Sequence, residues 1–98
     1  MKIENTKNGA ALVLKVTGRL DTTTAPELEA ALKDSLEGTT DLTFDFADLE
    51  YISSAGLRVL LIAIKKMNAQ GTLVVKNANE LVMEVFEVTG FKDLMTIG

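Results

Sequence analysis

The spacing of hydrophobic and polar positions changes several times along the chain, and each change marks an element. Residues Lys2–Lys7 and Ala10–Thr17 flank Asn8-Gly9. Both turn residues tolerate the positive φ of a type I′ turn, so the pair predicts a β-hairpin. The second run is rich in Leu and Val and is expected to be a strand buried on both faces. Gly18-Arg19-Leu20-Asp21 then reads as a turn. Thr24 with Glu27 three residues later has the form of a capping box. Pro26 suits a first helical turn, where its missing N–H would be unpaired anyway. Leu28, Ala31, Leu32, Ser35 and Leu36 recur at helical spacing, and Gly38 ends this first helix.

Asp41–Phe46 alternates, with Leu42, Phe44 and Phe46 on one face and Thr43 and Asp45 on the other, which predicts a strand. Ala47–Ile52 is expected to be a loop with Leu49 and Ile52 tucked inward. A second helix is expected from Ser53 or Ser54 to Gln70. Its inner face carries Leu57, Leu60, Leu61, Ile64 and Met67, and Val59, Ile62 and Ala63 widen the apolar surface. Such a helix is largely buried or offers a face to a partner. Gly71 introduces a strand over Thr72–Lys76. Asn79 can cap a third helix to Thr89, with Leu81, Val82, Val85 and Phe86 turned inward and Gly90 as its C-cap. Phe91 and Leu94 are expected to fold back onto the core, and Met95–Gly98 to add a short edge strand. Strands separated by helices imply parallel crossovers. The fold class is therefore α/β: one domain over residues 1–98, a mixed sheet of four to five strands with an N-terminal antiparallel hairpin, covered by three or more helices.

Composition narrows the chemistry. Hydrophobic residues make up 47% of the 98 residues and charged residues 24%, the balance of one globular domain. Cysteine is absent, so disulfides and thiolate metal sites are excluded. Histidine is absent too, which removes the commonest general base and a main transition-metal ligand. With no Walker-type loop and no GxGxxG, no enzymatic activity and no cofactor are expected. A net charge of −4 disfavours nucleic acid and anionic membrane surfaces and leaves a protein partner. No apolar run follows Lys2, and the longest apolar stretch, Val59–Ile64, is too short to span a bilayer. A cytoplasmic monomer is the expectation. Asp41, Asp45, Asp48 and Glu50 lack the Asp-x-Asp-x-Asp-Gly form of a calcium loop and read as solvated or capping carboxylates, so no metal site is expected.

The segment with chemistry is Ser53-Ser54-Ala55-Gly56-Leu57, at the start of the second helix. Free backbone N–H groups point outward at such an end, and the dipole favours negative charge. One reading is a helix cap, for which Ser is among the best residues. The other is a phosphorylation switch. A phosphoserine adds roughly −1.5 to −2 charge, which a helix N-terminus tolerates and a docked partner would not. A capping serine and a phosphorylated one are compatible.

Tyr51-Ile52-Ser53-Ser54-Ala55-Gly56-Leu57-Arg58-Val59-Leu60-Leu61 resembles the signature of the STAS-domain family, specifically its bacterial anti-sigma factor antagonists. Gly18-Arg19-Leu20-Asp21, Leu42–Asp48 and Val88-Thr89-Gly90-Phe91 match further family segments in order, so the resemblance spans nearly the whole chain. It implies a protein that binds an anti-sigma factor serine kinase when unphosphorylated, so releasing a sigma factor. The kinase then phosphorylates the antagonist at this helix end, the complex dissociates, and a PP2C-type phosphatase restores it. Alignment on Gly56-Leu57 puts the phosphate acceptor at Ser54. Many members carry Asp before the acceptor; here that position is Ser53, a second candidate. The family interface would take in Asp21, Thr22 and Thr23, together with Ser53, Ser54, Ala55, Gly56, Leu57 and Arg58. Helix-start chemistry is the competing account of Asp21–Thr24, and a solvated helix surface that of Arg58. The alternative function is a STAS adaptor of a lipid or anion transport complex, in which Ser54 is only a cap.

Overall fold

The computed structural model describes residues 1–98. Strands β1 (Lys2–Asn8) and β2 (Ala11–Leu20) form the antiparallel hairpin, and Gly9 at its turn has φ +63°. Helix α1 (Ala25–Ser35), strands β3 (Asp41–Asp45) and β4 (Leu49–Ile52), helix α2 (Ser54–Gln70), strand β5 (Thr72–Lys76) and helix α3 (Glu80–Thr89) follow. A short 3₁₀ turn at Phe91–Asp93 leads into strand β6 (Thr96–Ile97). The sheet runs β1-β2-β3-β5-β6, with every pairing after the hairpin parallel. This is the expected mixed α/β sheet with its N-terminal hairpin and three α-helices.

The sixth strand comes from a segment that reads as a loop in the sequence. Leu49–Ile52 is strand β4, parallel to the far end of β2. Gly18-Arg19-Leu20 is correspondingly strand and not turn. β3 ends at Asp45, which leaves the edge of β2 open beyond Lys15, and β4 takes that edge. The register shifts between Gly18 and Arg19, a bulge that Gly18 accommodates at φ +103°. Four residues carry too little periodicity to declare a strand; a partner edge was needed.

β2 is buried on one face only, which corrects the expectation of two. Leu12, Leu14, Val16 and Leu20 are buried with Leu42, Phe44 and Val75, while Val13, Lys15 and Thr17 between them reach solvent. The helices pack on the first face, where Leu28 and Leu32 of α1, Leu60, Ala63 and Met67 of α2, and Val82 and Phe86 of α3 complete one core. The other face carries two rows across the strands. One is β-branched (Thr6, Val13, Thr43, Val74, Thr96), and one alternates in charge (Glu4, Lys15, Asp45, Lys76). Neighbours of opposite sign and β-branched pairs stabilise a solvated face. Leu81 and Leu94, expected inside, are each about half exposed (49% and 51%). α3 docks through buried Val82 and Phe86, with Met83 and Val85 packed half-buried beside them.

The carboxylates Asp41, Asp45 and Asp48 are engaged locally. Asp45 accepts from the Ala47 N–H at 3.0 Å and from Asn77 Nδ2 at 3.1 Å. Those hydrogen bonds, the Ala47 N–H first, hold its carboxyl below the usual aspartate range. Asp41 accepts from the Thr72 hydroxyl at 3.0 Å, and Asp48 pairs with Lys15 at 3.3 Å.

Candidate functional site

Strand β4 delivers the chain to the start of α2, and the last residue of β2 holds it there. The Ser53 N–H donates to the Leu20 carbonyl at 2.9 Å. Ser53 is the N-cap, extended at φ −97° and ψ 176°, and its Oγ accepts from the Gly56 N–H at 3.4 Å. The Leu57 N–H donates to the Ser53 carbonyl at 2.9 Å. Of the first-turn donors, the N–H groups of Ser54 and Ala55 are left without a partner in the chain. Ser54 itself is exposed, and no side-chain hydrogen bond of the chain involves it. The two serines are thereby distinguished: Ser53 is half-buried and capping, Ser54 is free.

Beneath them the packing is tight. Gly56 is buried, and a Cβ there would lie 2.7 Å from Leu20 Cγ and 2.9 Å from Ile52 Cγ1. Leu57 is buried in the core as well. The surface of the site therefore belongs to Ser54, Ala55 and Arg58, while Gly56 and Leu57 seat them. Arg58 is exposed one turn beyond Ser54, at the i+4 spacing that lets side chains meet on a helix.

The loop before α1 closes the other side. A reciprocal cap forms there, three residues earlier than the Thr24–Glu27 pattern suggests. Asp21 Oδ1 accepts from the N–H groups of Thr23 (3.0 Å) and Thr24 (3.1 Å), and the Asp21 N–H donates to Thr24 Oγ1 at 2.9 Å. The Thr24 hydroxyl donates to the Arg19 carbonyl at 2.8 Å. Thr24 is the N-cap of α1 by position but makes no side-chain cap, so the expected capping box is replaced by one built on Asp21. The Thr24 N–H, then that of Thr23, the Thr24 hydroxyl and the Arg19 charge, hold the Asp21 carboxyl below the usual aspartate range. Thr22 lies over a hollow of about 230 Å³, shared with Ala25, Pro26, Glu29, Ala55, Arg58 and Val59. Thr22, Ala55 and Arg58 were expected at the site. Pro26, Glu29 and Val59 were not, because they enter only through the packing of α1 on α2. Arg19 stacks over the Tyr51 ring at 4.7 Å, another neighbour made by the β2–β4 pairing.

An exposed hydroxyl, two open N–H groups and a cation one turn away can accept a dianion without disturbing the Ser53 cap.

Residues 2–98 match the family model of the STAS domain. BtrV of Bordetella bronchiseptica, provisionally named an anti-sigma factor antagonist, is 35% identical over 99% of this chain and 85% of its own. The anti-sigma-B factor antagonist of Staphylococcus epidermidis is 33% identical over 99% of this chain and 92% of its own. The fold is that of the anti-sigma factor antagonist SpoIIAA at 17–18% identity. Its unphosphorylated form superimposes with a TM-score of 0.78, covering 99% of this chain and 87% of that one. The phosphorylated form, from Bacillus, gives 0.77 over 99% and 91%.

Proposed function

The chain belongs to the STAS-domain family of anti-sigma factor antagonists, and on that premise we propose that it is a phospho-switched antagonist whose acceptor is Ser54. Unphosphorylated, it binds an anti-sigma factor serine kinase through Ser54, Ala55, Arg58 and the Asp21–Thr23 loop, and the sigma factor is released. The kinase transfers the γ-phosphoryl group of ATP to Ser54 Oγ; ADP leaves and the hydroxyl proton is lost. A PP2C-type phosphatase returns the serine by hydrolysis. The protein is the substrate of both enzymes and acts in the cytoplasm.

One observation carries the reading: the exposed Ser54 hydroxyl is free while Ser53 holds the cap. Modification therefore leaves the fold intact. The dianion changes what the surface presents, since a partner fitted to a neutral hydroxyl meets repulsion and desolvation. Incubation with ATP and the serine-kinase anti-sigma factor of the same genome, followed by mass spectrometry, is expected to place one phosphate on Ser54 and to dissociate the complex. An unmodified protein in a complex that persists in ATP would overturn the proposal.

A further inference from the structure

Helix α3 carries two side-by-side stripes that its own packing uses only in part. Val82 and Phe86 are buried in the core, and Met83 and Val85 pack half-buried against it. At 100° per residue, Leu81, Val85 and Val88 (i, i+4, i+7) form an apolar stripe on the flank of the helix: Val85 is half-buried against the core, and Leu81 and Val88 lie outward of it. Leu81 is 49% exposed and Val88 80%. With Glu84 and Thr89 they line a shallow hollow of about 270 Å³. Beside it runs an acidic stripe, Glu80, Glu84 and Glu87, at the same spacing.

The acidic stripe works against the helix that bears it. Like charges at i, i+4 and i, i+3 repel. Only Glu80 lies in the first turn, where the dipole favours it; Glu87 is in the last, with no basic residue of α3 to offset it. Lys92, beyond the helix, pairs with Glu87 at 3.2 Å on the surface, and Glu80 and Glu84 have no ion pair. The stability of the domain explains neither the exposed Leu81 and Val88 nor the acidic stripe.

We propose that this face of α3 is a second docking surface, for a protein partner that presents an apolar ridge flanked by Lys or Arg. Charge complementarity selects that occupant. A second copy of this chain would bring three glutamates against three, and an anionic membrane would be repelled in the same way. The surface is built from residues other than those of the Ser54 site, so both can be used by the same molecule.

The test uses two synthetic amphipathic peptides with one leucine stripe, flanked by lysines in one and glutamates in the other, titrated into the ¹⁵N-labelled protein. The lysine peptide is expected to shift amide signals of residues 80–89, at least tenfold more tightly than the glutamate peptide and more weakly as salt rises. Val88→Lys and Leu81→Lys, both at exposed positions, are each expected to weaken it at least tenfold while leaving signals from the sheet unchanged. Equal affinity for the two peptides, shifts mapping outside α3, or no binding would each overturn the proposal. So would self-association through α3 in diffusion measurements, or binding of phosphatidylglycerol vesicles by that face.

Discussion

Two adjacent serines at the start of α2 look equivalent in sequence, and geometry separates them. Ser53 spends its oxygen on the Gly56 N–H; Ser54 spends its oxygen on nothing in the chain. Removing an N-cap hydroxyl costs about 1 kcal/mol, whereas an exposed substitution away from such a feature stays within about 0.5 kcal/mol. Ser53→Ala is therefore expected to lose about 1 kcal/mol in urea unfolding, and Ser54→Ala to lie within about 0.5 kcal/mol of the parent. Equal losses in both would show that the cap is shared. The family resemblance had already ranked Ser54 above Ser53. The reason was not legible, because a cap depends on ψ at one residue and on where the preceding strand points.

At the scale of elements, the position of α2 depends on one missing methyl group. Its first turn lies directly on Leu20 of β2 and Ile52 of β4, with Gly56 at the contact. Gly56→Ala would gain roughly 1 kcal/mol in helix propensity. Against that, a Cβ 2.7 Å from Leu20 Cγ forces a shift, and overpacking of this kind costs about 1–3 kcal/mol. With three contacts at 3.0 Å or less the steric cost is the larger, so a net loss of up to about 2 kcal/mol is expected in thermal unfolding, with weaker binding of the proposed kinase because Ser54 and Arg58 are displaced. A more stable Gly56→Ala protein would show that the helix end is not seated as described. The long helices α1 and α2 and the cleanly alternating β3 were legible from spacing. β4 was not, and neither was the cap of α1. Glu27 stands at the right distance from Thr24, but Asp21 reaches the same threonine from the other side and takes the bond.

For the whole molecule, the pH dependence of stability follows from a few carboxylates and from the absence of histidine. Asp21 and Asp45 are both held below the ordinary aspartate value of about 3.9. A depressed folded-state pKa contributes stability that is present above the unfolded value and lost as pH falls through the folded one. Lys15, raised by its hydrogen bond and charge interaction with Asp48, contributes stability that is present below its unfolded value and lost as pH rises through the folded one. The urea midpoint is therefore expected to be flat from pH 6 to 8 and to fall below about pH 4. That fall should be shallower in Asp21→Asn, which keeps a good capping side chain but cannot titrate. An acid limb identical to the parent's would remove Asp21 from the account. The sequence by itself determined the order of every element but β4, the core-facing residues of β3 and the segment where chemistry would sit, because periodicity and turn residues are local properties. Only the tertiary structure decided that β2 is covered on one face and that Leu49–Ile52 is a strand. It also decided that Gly56 and Leu57 support the site from beneath, and that Leu81 and Val88 face outward while Val85 packs half-buried against the core. An apolar residue's sequence position states that it can be buried; whether it is depends on which surface arrives to cover it.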